Sequence, residues 1–346
     1  MFVRSYKITE PKRFEIFVED IYSEDILVRP ENLAICKADI RYYLGNRDIN
    51  VLKRKFPMSL IHEGTGVVVR DNSGKMKPGQ KVVMLPCIKA ECDGTKCLTC
   101  VRDDENLLDN YCPESRFRSS NYDGFSKEMI NTQSEYLVEI PDSIGEEAVF
   151  SELISVGCCA MRRAGLWDKK EKKIAVWGDG IMGYIISLVA KYGVGADVSV
   201  VGISPEKLAK IDFADTYFVN DIDSMPNITV AIEAVGGNAS ASAVNQAIDK
   251  LCSGGKIVLC GVSNDNAPIN TRMVLEHGLT LMGTTRSVRC DFEKAIELLQ
   301  IPEFRERILR LVDGIDVVDN INKYYKAFDE ASKSQSLGKR IIKLVF

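Results

Sequence analysis

Histidine is nearly absent from this chain, with two in 346 residues. Any metal or acid–base site must therefore draw mainly on other side chains. Long apolar runs are missing too, and none approaches the roughly 18 residues of a membrane span. The opening stretch MFVRSYKITEPKRF lacks the apolar core of about 7–15 residues that marks a secretory signal, so a cytoplasmic protein is expected. There is no basic excess. The 45 Lys+Arg face 49 Asp+Glu for a net charge of −4, and without a basic face a nucleic-acid partner is not expected. Internal repeats, low-complexity tracts and long linkers are also lacking. An apolar fraction of 45% and a charged fraction of 27% describe an ordinary globular protein, and the length suggests two domains at about 150 residues each.

What is present in excess is thiol. Six of the 11 cysteines (Cys36, Cys87, Cys92, Cys97, Cys100, Cys112) precede residue 113. The length and the odd count argue against a secreted disulfide scaffold, and clustered thiols in a reducing compartment point to metal. Cys158, Cys159, Cys252, Cys260 and Cys290 are scattered among apolar or small residues and read as core.

Residues 1–150 show short strand-like runs bounded by Pro, Asn and Gly, a mostly antiparallel pattern. From residue 172 to 285, strands alternate with helical runs: Lys173–Trp177, a helix over Met182–Tyr192, then strands at Asp197–Val201, Ile228–Ile232 and Gly255–Cys260. That alternation implies right-handed βαβ units and a parallel sheet. A coda follows, with helices around Phe292–Leu299 and Tyr324–Ser332 and a terminal strand at Arg340–Phe346, which needs the N-terminal sheet to pair with. The expected domains are 1–151, 152–286 and a return segment, 287–346.

Gly178-Asp179-Gly180-Ile181-Met182-Gly183 directly follows a strand and opens a helix. There Gly178 permits the tight turn, Gly180 lets backbone approach a pyrophosphate and Gly183 allows close helix packing. The N–H groups of Ile181 and Met182 then lie at a helix N-terminus suited to phosphates. At the end of the second strand stands Gly202, where an NAD enzyme usually carries an acid. With Ser204 and Lys207 nearby to hold a 2′-phosphate, NADP(H) is favoured, although Glu206 weighs the other way.

Two metal sites are candidates. Cys92-x4-Cys97-x2-Cys100-x11-Cys112 could close a structural zinc, with Cys87 able to replace Cys92. An open catalytic set could combine Cys36, His62, Glu63 and Glu152, one thiolate, one imidazole and carboxylates. His277 has no such neighbours and reads as structural. Arg41, Arg47, Arg116 and Arg118 could bind a substrate phosphate, whereas Lys53, Arg54 and Lys55 read as a solvated loop face.

Together, Cys36-x-x-Asp39, His62-Glu63-x-x-Gly66, the thiol lobe, the Gly178 loop and the closing Gly338-Lys339 strand resemble the zinc-dependent medium-chain dehydrogenases/reductases, the alcohol and polyol dehydrogenase superfamily. The stretch from Ser151 to Gly157 is similar to the Glu-Pro-Leu-Ser-Val-Gly segment of polyol dehydrogenases. Cys36–Tyr43 and Phe117–Asn121 look most like the ribulose-5-phosphate reductases. Those enzymes make ribitol 5-phosphate with NADPH for teichoic-acid or capsule precursors.

The resemblance implies an α/β protein with a GroES-like catalytic domain and a doubly wound Rossmann domain, and with the active site between them. It implies Zn2+ and NADP(H) as cofactors and a dimer or tetramer. By position it makes Cys36, His62, Glu63 and Glu152 the zinc neighbours and Asp39 the residue that orients His62. Three departures stand out. Ala38 replaces the Ser or Thr of a common proton relay. The thiol lobe has longer gaps than usual. Ile61 replaces the Gly usual before the His, with no obvious consequence. Two other readings stay open: an NAD(P)-linked polyol or sugar dehydrogenase on an unphosphorylated substrate, and a nucleotide-binding regulator without turnover.

Overall fold

The computed structural model describes residues 1–22, 25–89, 109–168, 173–263 and 265–346. Within these, 1–89, 109–152 and 288–346 form one compact unit and 153–287 another.

The first unit begins with a hairpin, β1 (Phe2–Glu10) and β2 (Arg13–Asp20). It continues through β3 (Ile26–Ala34), α1 (Lys37–Tyr43), α2 (Ile49–Lys55), β4 (Met58–Ser59), β5 (Glu63–Asp71), β6 (Lys81–Met84) and β7 (Cys87–Ile88). After the undescribed stretch come β8 (Arg116–Phe117), β9 (Ile130–Thr132) and β10 (Leu137–Glu139); α3 (Ser151–Ala164) begins at the end of this stretch, with Glu152 in its first turn, and the rest of it belongs to the second unit.

The second unit alternates β11 (Lys173–Trp177), α4 (Ile181–Leu188), β12 (Asp197–Gly202), α5 (Pro205–Leu208), β13 (Asp215–Phe218), β14 (Ile228–Glu233), α6 (Ser240–Lys250), β15 (Leu251–Leu259), α7 (Thr271–Glu276) and β16 (Thr280–Gly283). Its six strands are all parallel, in the order β13-β12-β11-β14-β15-β16. Reversal of strand order at β11 is the doubly wound arrangement, in which ligands bind beyond the carboxyl ends of the strands. The helix expected over 182–192 begins at Ile181 and changes at Val189–Gly193 to a π-helical turn. Strand β15 starts four residues earlier than the apolar run suggested, at Leu251.

The chain then returns to the first unit as α8 (Arg289–Leu299), α9 (Pro302–Leu309), β17 (Val312–Val318), α10 (Ile321–Lys333) and β18 (Lys339–Leu344). The terminal strand inserts between β3, which it pairs antiparallel, and β17, which it pairs parallel. The sheet order there is β10-β6-β5-β3-β18-β17, so the last strand of the sequence is an interior strand of the sheet.

Helix α10 is stapled down by aromatic residues at helical spacing. Tyr324, Ala327 and Phe328 are buried on one face, as an i, i+3, i+4 stripe requires. Phe328 lies edge-on to Phe14, 4.9 Å between centroids, and 5.3 Å from Tyr43. Tyr324 meets Phe14 at 4.7 Å and Tyr6 at 4.8 Å. The hairpin, α1 and the C-terminal helix thus share one core. Removing the Phe328 ring in Phe328→Ala should destabilise this unit by about 3–5 kcal/mol, the usual cost of a large core deletion. Chemical denaturation would read it as a lower midpoint.

Candidate active site

Helix α1 is where the metal-site residues converge. Cys36 is its N-cap, and its backbone N–H donates to Asp39 Oδ2 at 3.0 Å. The other oxygen, Asp39 Oδ1, accepts the Ile61 N–H at 3.1 Å and the Ser119 hydroxyl at 2.5 Å, and lies 3.7 Å from His62 Nδ1. Asp39 is fully buried. Burial works to raise its pKa, but the facing His62 and the donors from Ser119 and Cys36 hold it below the usual carboxylate range. For His62, burial works to lower the pKa; Asp39 and Cys36 outweigh it and push it well above the usual value. With Nδ1 turned to Asp39, Nε2 faces Glu63 Oε1 at 4.0 Å. A carboxylate behind a ligating imidazole is the arrangement that orients it toward a metal.

Ile61 is held at φ +70°, a left-handed conformation that a β-branched residue rarely adopts. The Gly-to-Ile departure therefore carries backbone strain. It is held by the Asp39 bond and by the Phe125 N–H, which donates to the Ile61 carbonyl at 2.7 Å.

Donor atoms of Cys36, His62 and Glu63 lie within 4.8 Å of one another, the one such trio among the described residues. A thiolate, an imidazole and a carboxylate suit a divalent zinc ion with an open position. Glu63 Oε2 is buried without a hydrogen-bond partner among the described residues, an orphaned acceptor that a cation would satisfy. Its other oxygen accepts from Lys339 Nζ at the start of β18. Lys339 is buried; burial acts to lower its pKa, but Glu63, Cys36 and Glu152 reverse that and hold it charged.

Glu152 is not within the trio, but its charge interacts with His62, Glu63 and Lys339. Burial, opposed by His62 and reinforced by Glu63, pushes its carboxyl up to about 7, a value suited to proton exchange near neutrality. Lys339 and Ser119 are the functional-looking residues that sequence reasoning did not single out.

In the second unit, a Cβ on Gly183 would meet the Gly178 carbonyl at 1.8 Å, so the third glycine of the loop is required by contact. Gly180 caps α4, and Ile181 and Met182 form its first turn. Gly202 is also sterically required, because a Cβ there would lie 2.6 Å from Asp179 Cβ and 2.8 Å from its Oδ2. The Asp179 side chain of the loop packs directly against Gly202. Asp179 Oδ2 accepts the Ile203 and Ser204 N–H groups at 2.8 and 2.6 Å, and Ser204 caps α5 by accepting the Lys207 N–H at 3.4 Å. Glu233 plays a matching part at the end of β14. Its carboxylate takes N–H bonds from Val235 and Gly236 at 3.0 and 2.7 Å and from Gly261 at 3.1 Å.

The remaining candidates fall elsewhere. Cys92, Cys97 and Cys100 lie outside the described residues; Cys112 and Cys87 are buried. Cys158 and Cys159 are core, but Cys252 and Cys290 are exposed and Cys260 is half-buried. Cys290 falls off the α8 stripe of Phe292, Ala295, Ile296 and Leu299. His277 ends α7. Arg41 is in the last turn of α1 and Arg116 lies over the Tyr122 ring. Arg118 is buried; that burial lowers its pKa to about 10, and it donates to the Asp123 carbonyl at 3.1 Å between the Tyr122 and Phe125 rings. Lys53, Arg54 and Lys55 belong to α2, not a loop.

The Lys339–Glu63 pair yields a direct test. Removing one partner strands a buried charge, at about 3–5 kcal/mol. Lys339→Met should destabilise the protein by that amount in denaturant titration, and adding Glu63→Gln should recover most of it.

The alcohol dehydrogenase GroES-like domain family matches residues 22–142 and the zinc-binding dehydrogenase family matches residues 182–300. The chain is 38% identical to ribulose-5-phosphate reductase 1 of Staphylococcus aureus over 98% of both chains. It is 39% identical to the ribulose-5-phosphate reductase of Bacillus spizizenii over 99% of both. The crystal structure of S. aureus TarJ in complex with NADPH matches the whole of both chains with a TM-score of 0.85 at 33% identity. The chain belongs to the zinc-dependent medium-chain dehydrogenases/reductases, in the group that contains the ribulose-5-phosphate reductases.

Proposed function

We propose that this chain reduces D-ribulose 5-phosphate to D-ribitol 5-phosphate with NADPH, in the cytoplasm, as a step toward teichoic-acid or capsule precursors. The observation that carries this is the Cys36/His62/Glu63 trio in a chain that aligns end to end with ribulose-5-phosphate reductases. Zinc at that trio supplies Lewis acidity toward a carbonyl oxygen, and NADPH supplies the hydride.

The rest of the reading concerns this chain's own residues. Cys36, His62 and Glu63 are the metal donors, and Asp39 sets the direction of the His62 ring. Lys339 balances the Glu63 charge. As the ketone becomes an alcohol, its carbon takes the hydride and its oxygen takes a proton. With Ala38 unable to relay that proton, Glu152 is the carboxyl that delivers it. Gly178, Gly180 and Gly183 with the first turn of α4 hold the dinucleotide pyrophosphate. Ser204 and Lys207 hold the 2′-phosphate, on a backbone fixed by Asp179. The thiol lobe of Cys92, Cys97, Cys100 and Cys112 holds a second, structural zinc.

Two measurements test this. Purified protein with NADPH or NADH, offered a panel of ketose phosphates and free ketoses, should oxidise NADPH fastest with ribulose 5-phosphate and lose that activity on metal chelation. Turnover of free ketoses with NADH alone would reject the substrate and the cofactor together. Asp179→Ala should raise the KM for NADPH about tenfold or more, the scale of losing charge-assisted hydrogen bonds, with little change in kcat. An unchanged KM would remove Asp179 from the cofactor site.

A further inference from the structure

Two cations in the first unit have no counter-charge among the described residues. Arg47 precedes α2 and Lys55 ends it. Their charged ends converge on one aromatic ring: Arg47 Cζ is 4.8 Å and Lys55 Nζ 5.2 Å from the centroid of Tyr42. Among the described residues Lys55 Nζ donates to neutral oxygens only, the Tyr42 hydroxyl at 2.6 Å and the Ser120 hydroxyl at 3.4 Å. Arg47 Nε is buried with no hydrogen-bond partner among the described residues. Among the described residues no carboxylate lies within ion-pair distance of either. Asp48, the nearest acid in sequence, is committed to capping α2 through the Asn50 and Val51 N–H groups. Holding two like charges together, partly desolvated and without an anion, is unfavourable. Such a pair is maintained where an anion completes it.

The location says which anion. Tyr42 and Asp39 are three residues apart on α1, so they share a helix face. From Cys36 to Tyr42 is six residues, about 9 Å along the helix. Ser120 follows Ser119, whose hydroxyl is bonded to Asp39. The cation pair is therefore built on the two segments that orient the metal donors, displaced along α1 by the reach of a short carbon chain.

We propose that Arg47 and Lys55, on the platform of Tyr42 and Ser120, bind the terminal phosphate of the substrate and so select phosphorylated over free ketoses. A guanidinium and an ammonium with free N–H donors match the acceptor-only oxygens of a phosphate. The assignment moves the phosphate site away from Arg118, which is enclosed by two rings and the Asp123 carbonyl. It rests on the reductase reading above and deepens it.

The test compares wild type with Lys55→Gln, Arg47→Gln and the double variant, using ribulose 5-phosphate and free ribulose with NADPH. The ratio of kcat/KM for the phosphorylated over the free ketose should fall about ten- to a hundredfold for each cation lost. Lys55→Arg should restore much of it. Arg54→Gln, one residue away on the exposed side of α2, should leave the ratio where it was. A ratio unchanged in the double variant, with wild type active on ribulose 5-phosphate, overturns the assignment and leaves the function standing. Should wild type turn over no ketose phosphate, the function falls, and calorimetry with inorganic phosphate decides the site separately. Binding heat in wild type that disappears in the double variant supports the anion pocket; no heat in wild type, or heat retained in the double variant, rejects it.

Discussion

A carboxylate buried without a cation of its own must be satisfied by hydrogen bonds or become protonated. Asp39 meets that demand by drawing on three separate stretches of chain. It takes the Cys36 N–H at the head of α1, the strained Ile61 N–H before β5, and the Ser119 hydroxyl of the loop after β8. Its remaining charge faces His62. One side chain thus sets the distance between Cys36 and His62, two residues that the sequence keeps 26 apart. Ile61 and Ser119 both stand at positive φ, and each gives a donor to this one acceptor, Ile61 its backbone N–H and Ser119 its hydroxyl.

The opposite wall of the site comes from the end of the chain. Lys339 enters because β18 is inserted between β3 and β17, and α10 locks that return through Tyr324 and Phe328 against the N-terminal hairpin. Its ammonium pairs with the buried Glu63 carboxylate. The dinucleotide half uses a related device. Asp179 and Glu233 are acids at the carboxyl edge of a parallel sheet, where anionic phosphates are expected. Both are occupied by backbone N–H donors, so they shape the loops around a ligand instead of repelling it.

How much of this can be read from the sequence depends on the range of the interaction. The parallel unit is legible because its strands and its glycine loop are local patterns, and Gly183 is dictated by a contact five residues away. Cys36, Asp39, His62 and Glu63 are legible through their motifs. Lys339 was visible only as part of a closing strand, since nothing local says that position 339 meets position 63. Gly202 reads as the absence of an acid, and only the fold shows that Asp179 packs against it. Lys55 reads as one of three solvated cations because its partner, Tyr42, is reached through a turn between two short helices. Cys252 and Cys290 read as core from their small and apolar neighbours; their exposure follows from helix and strand facing, which short windows around single cysteines do not resolve.

The central claim is that Cys36, His62 and Glu63 together hold the zinc on which reduction depends. Metal analysis of wild type and Cys36→Ser by elemental mass spectrometry, on the same preparations assayed for turnover and NADPH binding, tests it most directly. The variant should carry one zinc equivalent less than wild type and have no reductase activity, yet still bind NADPH. Cys36→Ser protein with undiminished zinc and undiminished turnover would contradict the account.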